Sequence, residues 1–262
     1  MSKCNMGTIL KNSRIGVTDV FHMIVNPGND ADSFLPGQYI NIRCSKGTSP
    51  LLRRPVSVLR SDPVTKTFEI CYEVKGEGTS YLSDLRIGDT IDYLGPLGNS
   101  FIIKPEYKKI AVVGGGIGIF PPIHLYKTLS NECKAYAYFG FQNKDRILFD
   151  ILNNIPDEYL FISTDDGSYG YKGYITDMFA HAVKELNFDA VFSCGPAVMM
   201  KTCASICSQY NIPCFVSLEE RMACGIGACL GCACKIKHED GSTGYGHVCK
   251  NGPIFNSKDV II

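Results

Sequence analysis

Residues 224 to 235, CGIGACLGCACK, place four cysteines within twelve positions, and no other feature constrains the chain as strongly. Cys224, Cys229 and Cys232 follow the spacing C-x4-C-x2-C, and Cys249 comes after sixteen further residues. A plant-type [2Fe–2S] cluster uses this spacing, with three thiolates from one loop and a fourth from a returning segment. The sequence therefore predicts an iron–sulfur site with these four cysteines as its metal ligands.

Three glycines, Gly225, Gly227 and Gly231, stand between these cysteines. A loop around a cluster brings backbone close to sulfur and often needs a positive φ, which glycine adopts readily. Backbone N–H groups are then expected to point at sulfur and to tune the reduction potential. A four-cysteine zinc site is the alternative, although such sites usually pair two short cysteine hairpins. Cys234 is expected on the other face of a strand and is not counted as a ligand.

Composition limits the classes of protein to consider. The 262 residues include 13 cysteines, an odd number, and a cytosolic chain uses them as thiols or metal ligands rather than as disulfides. Lys plus Arg equals Asp plus Glu at 26 each, so no net field recruits nucleic acid or an anionic membrane. No apolar run approaches the roughly 20 residues of a membrane span, and the first residues lack a secretion signal. We expect a cytoplasmic protein.

The chain reads as three consecutive parts. Up to residue 103, short β-rich runs such as GQYINIRC and TFEICYEV predict a small antiparallel barrel or sandwich. Strand-like and helical runs then alternate, which predicts a doubly wound parallel sheet. From residue 220 the chain is rich in Gly and Cys and is expected to be too irregular to extend that sheet. The expected fold class is multi-domain β plus α/β, with a barrel domain (1–103), an α/β domain (104–219) and a small irregular cluster module (220–262).

A dinucleotide site is predicted at the start of the second part. VVGGGIGIFPP, residues 112 to 122, is a strand, a glycine turn and a helix start, where backbone N–H groups and the helix dipole bind a pyrophosphate. SCGP again ends a strand and opens a helix, and TDDGSYGYKG follows another strand. Ligands of open α/β sheets bind at the carboxyl ends of strands, so these loops should meet at one edge. The candidate NAD residues are Gly115, Gly116, Gly118, Cys194, Gly195 and Pro196.

The coexistence of the two sites calls for a third cofactor. A nicotinamide exchanges a hydride, whereas an iron–sulfur cluster takes one electron, and flavin is the usual converter between them. In LLRRPVSV, Arg54 can bind a flavin diphosphate, and the extended strand around Ser57 offers backbone donors to the ring. CYEVKGEGTSYL follows with Gly78 and Thr79, a second turn suited to pyrophosphate.

These motifs resemble, in the same order, those of the ferredoxin–NADP reductase superfamily: PGQY, RRPVS, GEGTSYL, GPLGNSF, VVGGGIG, SCGP and the cysteine loop. LLRRPVSV, DGSYGYKG and EERMACGIGACLGCACK followed by HVCKNGPIF resemble more specifically the electron-transfer subunits of dihydroorotate dehydrogenase B. The resemblance covers nearly the whole chain. It implies an FAD-binding antiparallel barrel, an NAD-binding α/β domain and a C-terminal [2Fe–2S] module. It also implies that FAD is held by Arg54, Pro55, Val56, Ser57, Cys71, Tyr72, Glu73, Gly78 and Thr79.

The chain departs from the superfamily at one of these positions. Where the wider R-x-Y-S/T motif has a tyrosine packed on the flavin, this sequence has Val56. The flavin face is therefore either less covered or covered by another side chain.

The resemblance also implies a reaction shared between two subunits. A separate FMN-containing catalytic subunit would oxidise dihydroorotate in de novo pyrimidine (UMP) biosynthesis, and this chain would pass the electrons through its cluster and FAD to NAD⁺. A heterotetramer with two copies of each subunit is expected, with neither nucleic acid nor membrane as a partner. No acid/base or nucleophilic constellation is recognisable, so no catalytic residue is assigned.

Three alternatives remain open at this point. The same modules occur in diaphorase subunits of ferredoxin-dependent transhydrogenases, hydrogenases and sulfide-linked complexes. In a zinc-stabilised nucleotide-binding module, the cysteine loop would be a structural zinc site. For the nicotinamide, Lys144 and Arg146 could hold the 2′-phosphate of NADP while Asp145 would repel it, and the resemblance favours NAD.

Overall fold

The computed structural model describes residues 3–28, 34–129, 133–238 and 240–262. The chain divides into two compact units, and both are discontinuous in sequence. The first comprises residues 1–100, 219–234 and 245–253, and the second comprises 101–218, 235–244 and 254–262. The predicted cysteine ligands therefore all lie in the first unit, together with the β-rich part of the chain.

The elements have the following bounds. The described strands are β1 Lys3–Arg14, β2 Val20–Asn26, β3 Tyr39–Ile42, β4 Arg54–Asp62, β5 Thr67–Glu73, β6 Thr90–Leu97, β7 Lys109–Gly115, β8 Lys134–Phe141, β9 Leu160–Thr164, β10 Tyr171–Lys172, β11 Ala190–Cys194, β12 Cys214–Ser217, β13 Ala233–Lys237, β14 Thr243–His247, β15 Ile254–Asn256 and β16 Val260–Ile261. The described helices are α1 Glu77–Asp84, α2 Phe120–Thr128, α3 Phe149–Leu152, α4 Ile175–Glu185, α5 Ala197–Gln209 and α6 Val248–Asn251. Short 3₁₀ turns cover Gly116–Ile119, Lys144–Arg146 and Asp157–Tyr159.

In the first unit, the described strands β1 to β6 form a closed antiparallel barrel in the order β1-β2-β5-β4-β3-β6. Alternation of apolar and polar side chains explains why these segments close on themselves, since one face of each strand must be covered. On β6, Ile91 and Tyr93 point inward, and on β3, Ile40 and Ile42 do so. This arrangement confirms the predicted barrel.

In the second unit, the described part of the chain contains a sheet with the order β10-β9-β8-β7-β11-β12-β15. In the part of this order that runs from β10 to β12, each pair of adjacent strands is parallel. The central strand β7 is apolar and buried along almost its whole length, as expected for a parallel strand covered on both faces. The predicted doubly wound α/β architecture is thus confirmed. No helix in the described ranges is both long and apolar enough to span a membrane.

The C-terminal part corrects one expectation. Residues after 220 were expected to be too irregular to extend the parallel sheet, but β15 pairs with β12 as an antiparallel edge strand, with Val216 opposite Phe255. Three residues suffice for this addition because the edge of β12 supplies the hydrogen-bonding partner. A further small sheet has the order β14-β13-β16.

Candidate functional site

The four predicted cysteine ligands lie in two pairs within the first unit. The side chain of Cys224 interacts with that of Cys229, and the side chain of Cys249 interacts with that of Cys232. A [2Fe–2S] cluster is held by four cysteine thiolates, two at each iron. The arrangement in pairs therefore fits a two-iron cluster.

Backbone N–H groups point at these sulfur atoms, as expected. Cys224 Sγ accepts hydrogen bonds from the N–H groups of Ile226 at 3.5 Å and Ala228 at 3.3 Å. Gly227 N–H donates to Cys249 Sγ at 3.1 Å, and Cys249 N–H donates to Cys232 Sγ at 3.4 Å. Burial raises the pKa of the Cys224 thiol, but these N–H donors outweigh it and lower the pKa to about 6. The loop thus favours the thiolate of Cys224, the form that binds metal, whereas burial and the neighbouring Cys232 side chain raise the pKa of Cys249 to about 12.

Two of the three loop glycines are required by backbone geometry. Gly225 has φ +71° and Gly227 has φ +83°, and a Cβ on Gly227 would lie 2.7 Å from Cδ of Lys250. Gly231 does not have a positive φ; its neighbour Leu230 does, at +63°. The expectation that glycine supplies positive φ is therefore confirmed for two positions and was placed one residue too late at the third.

Tyr39 anchors the cysteine loop to the barrel. Its hydroxyl is 3.3 Å from the carbonyl oxygen of Gly225 and 3.4 Å from that of Cys249. Burial raises the pKa of the Tyr39 phenol, and thiolates of the nearby cysteines raise it further, so the hydroxyl keeps the proton that it donates. The residues predicted for the site from the sequence did not include Tyr39, although the alternation of β3 places its side chain on the face away from the barrel core into which Ile40 points.

The segment that carries Cys249 is fixed to the end of β6. Asn99 N–H donates to the carbonyl of Gly252 at 2.7 Å, and the Asn99 side-chain amide donates to the carbonyl of Asn251 at 3.1 Å. Val248 N–H donates to the carbonyl of Cys232 at 3.0 Å, which ties this segment to the loop itself. These bonds explain how a cysteine distant in sequence reaches the other three.

Cys234 lies on β13, which begins after Cys232, so the expected placement of the two cysteines on opposite faces of one strand is not seen. Cys234 is buried on β13, where Ala233 and Lys235 on either side are exposed. Burial raises the pKa of its thiol, and Glu220 raises it further, so Cys234 favours the neutral form. Across the described ranges, no group of three or more His, Cys, Asp or Glu side chains converges on a single metal ion.

The two stretches predicted to bind FAD meet in the barrel. A Cβ on Gly78 would lie 3.2 Å from Nε of Arg54 and 3.2 Å from Cβ of Cys44, so the Arg54 side chain packs directly against Gly78. The neighbouring Arg53 forms an ion pair with Asp92 at 2.8 Å. The structure thus gives the two adjacent arginines different roles and places Arg54 beside Gly78.

The turn around Gly78 is the first turn of α1. Thr79 Oγ1 accepts hydrogen bonds from the N–H groups of Lys75 at 2.9 Å and Gly76 at 3.3 Å. The Thr79 hydroxyl therefore helps to start the helix. A helix N-terminus carries N–H donors and a positive dipole, which suits a diphosphate beside Arg54.

Strands β4 and β5 diverge next to the remaining predicted FAD residues. The register of β5 with β4 ends at Ile70, whereas its register with β2 continues to Glu73. Tyr72 packs into the barrel core and its hydroxyl donates to Asn12 Oδ1 at 2.9 Å. Val56 is also buried in the core, while Pro55 before it is exposed. The strand registers thus leave Cys71, Tyr72 and Glu73 of β5 without a partner on β4 in the described pairing.

In the second unit, the two predicted glycine loops pack directly on each other. β7 and β11 are adjacent, and Gly114 pairs with Cys194. A Cβ on Gly118 would lie 2.6 Å from Cα of Gly195 and 2.8 Å from the carbonyl oxygen of Cys194. Gly116, by contrast, has φ +56° and open space around it. Close packing therefore explains Gly118, and Gly116 is the position at which backbone is open to a ligand.

This packing leads to a prediction about Gly118. Replacing Gly118 by Ala places a methyl group against backbone and should lower the stability of the second unit by about 1–3 kcal/mol and weaken NAD binding. Replacing Gly116 by Ala meets no atom, so the left-handed φ alone should cost about 1–2 kcal/mol. Thermal unfolding of both variants and NAD titration of Gly118→Ala test this, and a Gly118→Ala variant as stable as the unchanged chain would contradict it.

The third predicted loop lies at the same edge of the sheet. TDDGSYGYKG follows β9, which is separated from β7 by β8. Its Ser168 hydroxyl accepts a hydrogen bond from Lys144 N–H at 2.7 Å, which ties it to the loop after β8. The three polar side chains of the 3₁₀ turn after β8 are exposed, among them Asp145, which would repel a 2′-phosphate.

Comparison with known proteins gives consistent results. A family model described as the iron–sulfur cluster binding domain of dihydroorotate dehydrogenase B matches residues 219–261. A protein of Clostridium acetobutylicum named dihydroorotate dehydrogenase B (NAD(+)), electron transfer subunit, is 40% identical over 227 residues, which are 87% of this chain and 86% of the relative. A protein of the same name from Bacillus cereus (strain Q1) is 32% identical over 266 residues and covers 100% of both chains.

Solved structures share the architecture. One, described as an NADH-dependent reduced ferredoxin-NADP oxidoreductase, matches with a TM-score of 0.82 and 30% identity, covering 97% of this chain and 89% of its own. Phthalate dioxygenase reductase, described as transferring electrons from pyridine nucleotides to [2Fe–2S], matches with a TM-score of 0.67 and 18% identity, covering 94% and 77%. At this lower identity the second match shows the shared fold alone.

Proposed function

Because this chain belongs to the family of electron transfer subunits of dihydroorotate dehydrogenase B, we propose that it carries electrons from the FMN of a catalytic partner through [2Fe–2S] and FAD to NAD⁺. The partner oxidises dihydroorotate in the pathway to UMP. When bound, the flavin exchanges a hydride with the nicotinamide and single electrons with the cluster. The residues of this chain bind these cofactors and set their positions.

One arrangement supports this proposal above all others. The cysteine loop is hydrogen-bonded through Tyr39 to strand β3, and β3 pairs with β4, where Tyr39 stands opposite Ser57. Adjacent antiparallel strands are about 5 Å apart. The proposed cluster ligands and the proposed flavin strand thus lie on neighbouring elements of one compact unit, as electron transfer between two cofactors requires.

The residue assignments follow from this arrangement. Cys224, Cys229, Cys232 and Cys249 would hold the two irons of the cluster. FAD is held by the residues of β4, β5 and α1 that the sequence predicts, with Arg54 on the diphosphate beside Gly78. NAD binds at the carboxyl edge of the sheet in the second unit. We assign FAD binding to residues 1–103, NAD binding to residues 104–219 and the cluster to residues 220–262. The last segment contributes residues to both compact units.

The exposed face of the cysteine loop supports a docked partner. Ile226 is 51% exposed and Leu230 is 65% exposed, and both flank the proposed cluster ligands. Large apolar side chains at such a position favour contact with another protein. We propose that the FMN-containing subunit covers them, in a heterotetramer with two copies of each chain.

The test is anaerobic purification of the chain alone and together with its catalytic partner. The chain alone should contain iron, inorganic sulfide and FAD, and it should oxidise NADH with an artificial acceptor. Only the complex should reduce NAD⁺ when given dihydroorotate. A folded chain that contains zinc and lacks flavin would instead support the zinc-stabilised nucleotide-binding module.

A second candidate function is favoured by the match to the ferredoxin-NADP oxidoreductase structure. In that case the chain would be the diaphorase subunit of a ferredoxin-dependent transhydrogenase. The same preparation separates the two, because a transhydrogenase complex would couple NADH to reduced ferredoxin and NADP⁺ and would give no NADH from dihydroorotate.

A further inference from the structure

Asn41 lies between the barrel and the cysteine loop. On β3, Ile40 and Ile42 belong to the barrel core, so Tyr39 and Asn41 face the other way. Asn41 is nevertheless 0% exposed. In the pairing of β3 with the neighbouring strand β4, the proposed flavin strand, Asn41 stands opposite Pro55.

The cysteine loop is what covers Asn41. A Cβ on Gly225 would lie 2.7 Å from Asn41 Nδ2, 3.4 Å from its Cγ and 3.5 Å from its Cβ. Gly225 directly follows Cys224, the first proposed ligand. The amide nitrogen of Asn41 is therefore directed at the corner of the loop where the first thiolate enters.

Within the described ranges, neither Nδ2 nor Oδ1 of Asn41 has a hydrogen-bond partner in the protein. A buried polar group without a hydrogen-bond partner destabilises the folded state, so packing alone would favour an apolar residue of the same size. Attachment of the loop does not explain the asparagine either, because the neighbouring Tyr39 already supplies that contact through two carbonyl oxygens. A buried amide donor at this place calls for an acceptor brought by a ligand.

We propose that Asn41 tunes the redox site, its side-chain amide donating a hydrogen bond to cluster sulfur on the Cys224 side of the loop. This inference rests on the proposed function, since it needs a cluster at the four cysteines. Sulfur in an iron–sulfur cluster becomes a stronger acceptor when the cluster gains an electron, so a donor favours the reduced state and raises the reduction potential. Asn41 would thus help to set the direction of electron flow between cluster and flavin.

The test compares Asn41→Leu, which keeps the size and removes the donor, with Asn41→Asp, which replaces the donor by an acceptor. The full chain is purified anaerobically, its iron and sulfide are measured, and the midpoint potentials of cluster and flavin are determined by EPR-monitored titration. Asn41→Leu should retain the cluster and shift its reduction equilibrium about tenfold toward the oxidised form, which is about 59 mV for one electron. Asn41→Asp should shift it further in the same direction.

Tyr39→Phe is the matched control on the same face of β3. It removes a hydroxyl that donates to the carbonyl oxygens of Gly225 and Cys249, so it should lower thermal stability or iron content. It should change the reduction potential of the cluster less than Asn41→Leu does. The inference is overturned if Asn41→Leu leaves the cluster potential unchanged, shifts the flavin instead, or is matched by Tyr39→Phe. It is also overturned if both Asn41 variants fold but bind no iron, since Asn41 would then serve assembly. A wild-type chain without iron and sulfide would instead defeat the proposed function.

Discussion

Replacing any one of Cys224, Cys229, Cys232 or Cys249 by Ser is expected to remove most of the iron and inorganic sulfide from the chain and to abolish dihydroorotate-dependent NAD⁺ reduction by the complex. Each of these thiols belongs to one of the two close pairs, so its loss leaves one iron without a full set of ligands. Changes in outer-shell partners alone lower metal affinity by about 10–100-fold, and loss of a ligand should exceed that range. Iron and sulfide assays with visible and EPR spectra measure the effect.

Cys234→Ser provides a control from the same segment. Cys234 lies only two residues after Cys232, but it is buried on β13 and burial favours its neutral thiol. This variant should keep its iron, sulfide and FAD and should transfer electrons at the normal rate. If Cys234→Ser lost the cluster while Cys249→Ser kept it, the assignment of the fourth ligand would be wrong.

Replacing Gly78 by Val is expected to weaken FAD binding by roughly ten- to a hundredfold. Even the Cβ alone would press on Nε of Arg54 and on Cβ of Cys44, and the two further methyl groups would displace the guanidinium from the first turn of α1. A hydrogen bond between charged groups contributes about 1.5–3 kcal/mol, which sets the expected size of the loss. Flavin content after gel filtration and titration of the apoprotein with FAD measure it.

Gly76→Ala is the matched control for this substitution. Gly76 lies two residues earlier, has an extended backbone with φ −166°, and a Cβ there would meet no atom within 4 Å. FAD affinity should therefore remain close to that of the unchanged chain. Tight FAD binding by a folded Gly78→Val variant would show that Arg54 does not hold the diphosphate beside Gly78.

Features that depend on residues close together in the sequence were predictable. The spacing of Cys224, Cys229 and Cys232 is set by the ligand geometry of a cluster loop, and Gly225 and Gly227 stand where the backbone adopts a positive φ. The order of β-rich and alternating segments predicted the barrel and the parallel sheet, because the period of apolar residues decides which face of an element can be buried. The membership of the C-terminal segment in two compact units had no such local signal.

What the tertiary structure alone decided are contacts between residues far apart in the chain. The Tyr39 hydroxyl contacts the carbonyl oxygens of residues 186 and 210 positions later in the chain, and no periodicity in either segment predicts these contacts. The short strand β15 could join the sheet only because β12 offered an open edge. Spacing predicted Cys224, Cys229 and Cys232 as candidate ligands, since the geometry of one loop is local. Which side chains pack against that loop, Asn41 among them, depends on how the folded barrel and the loop come together.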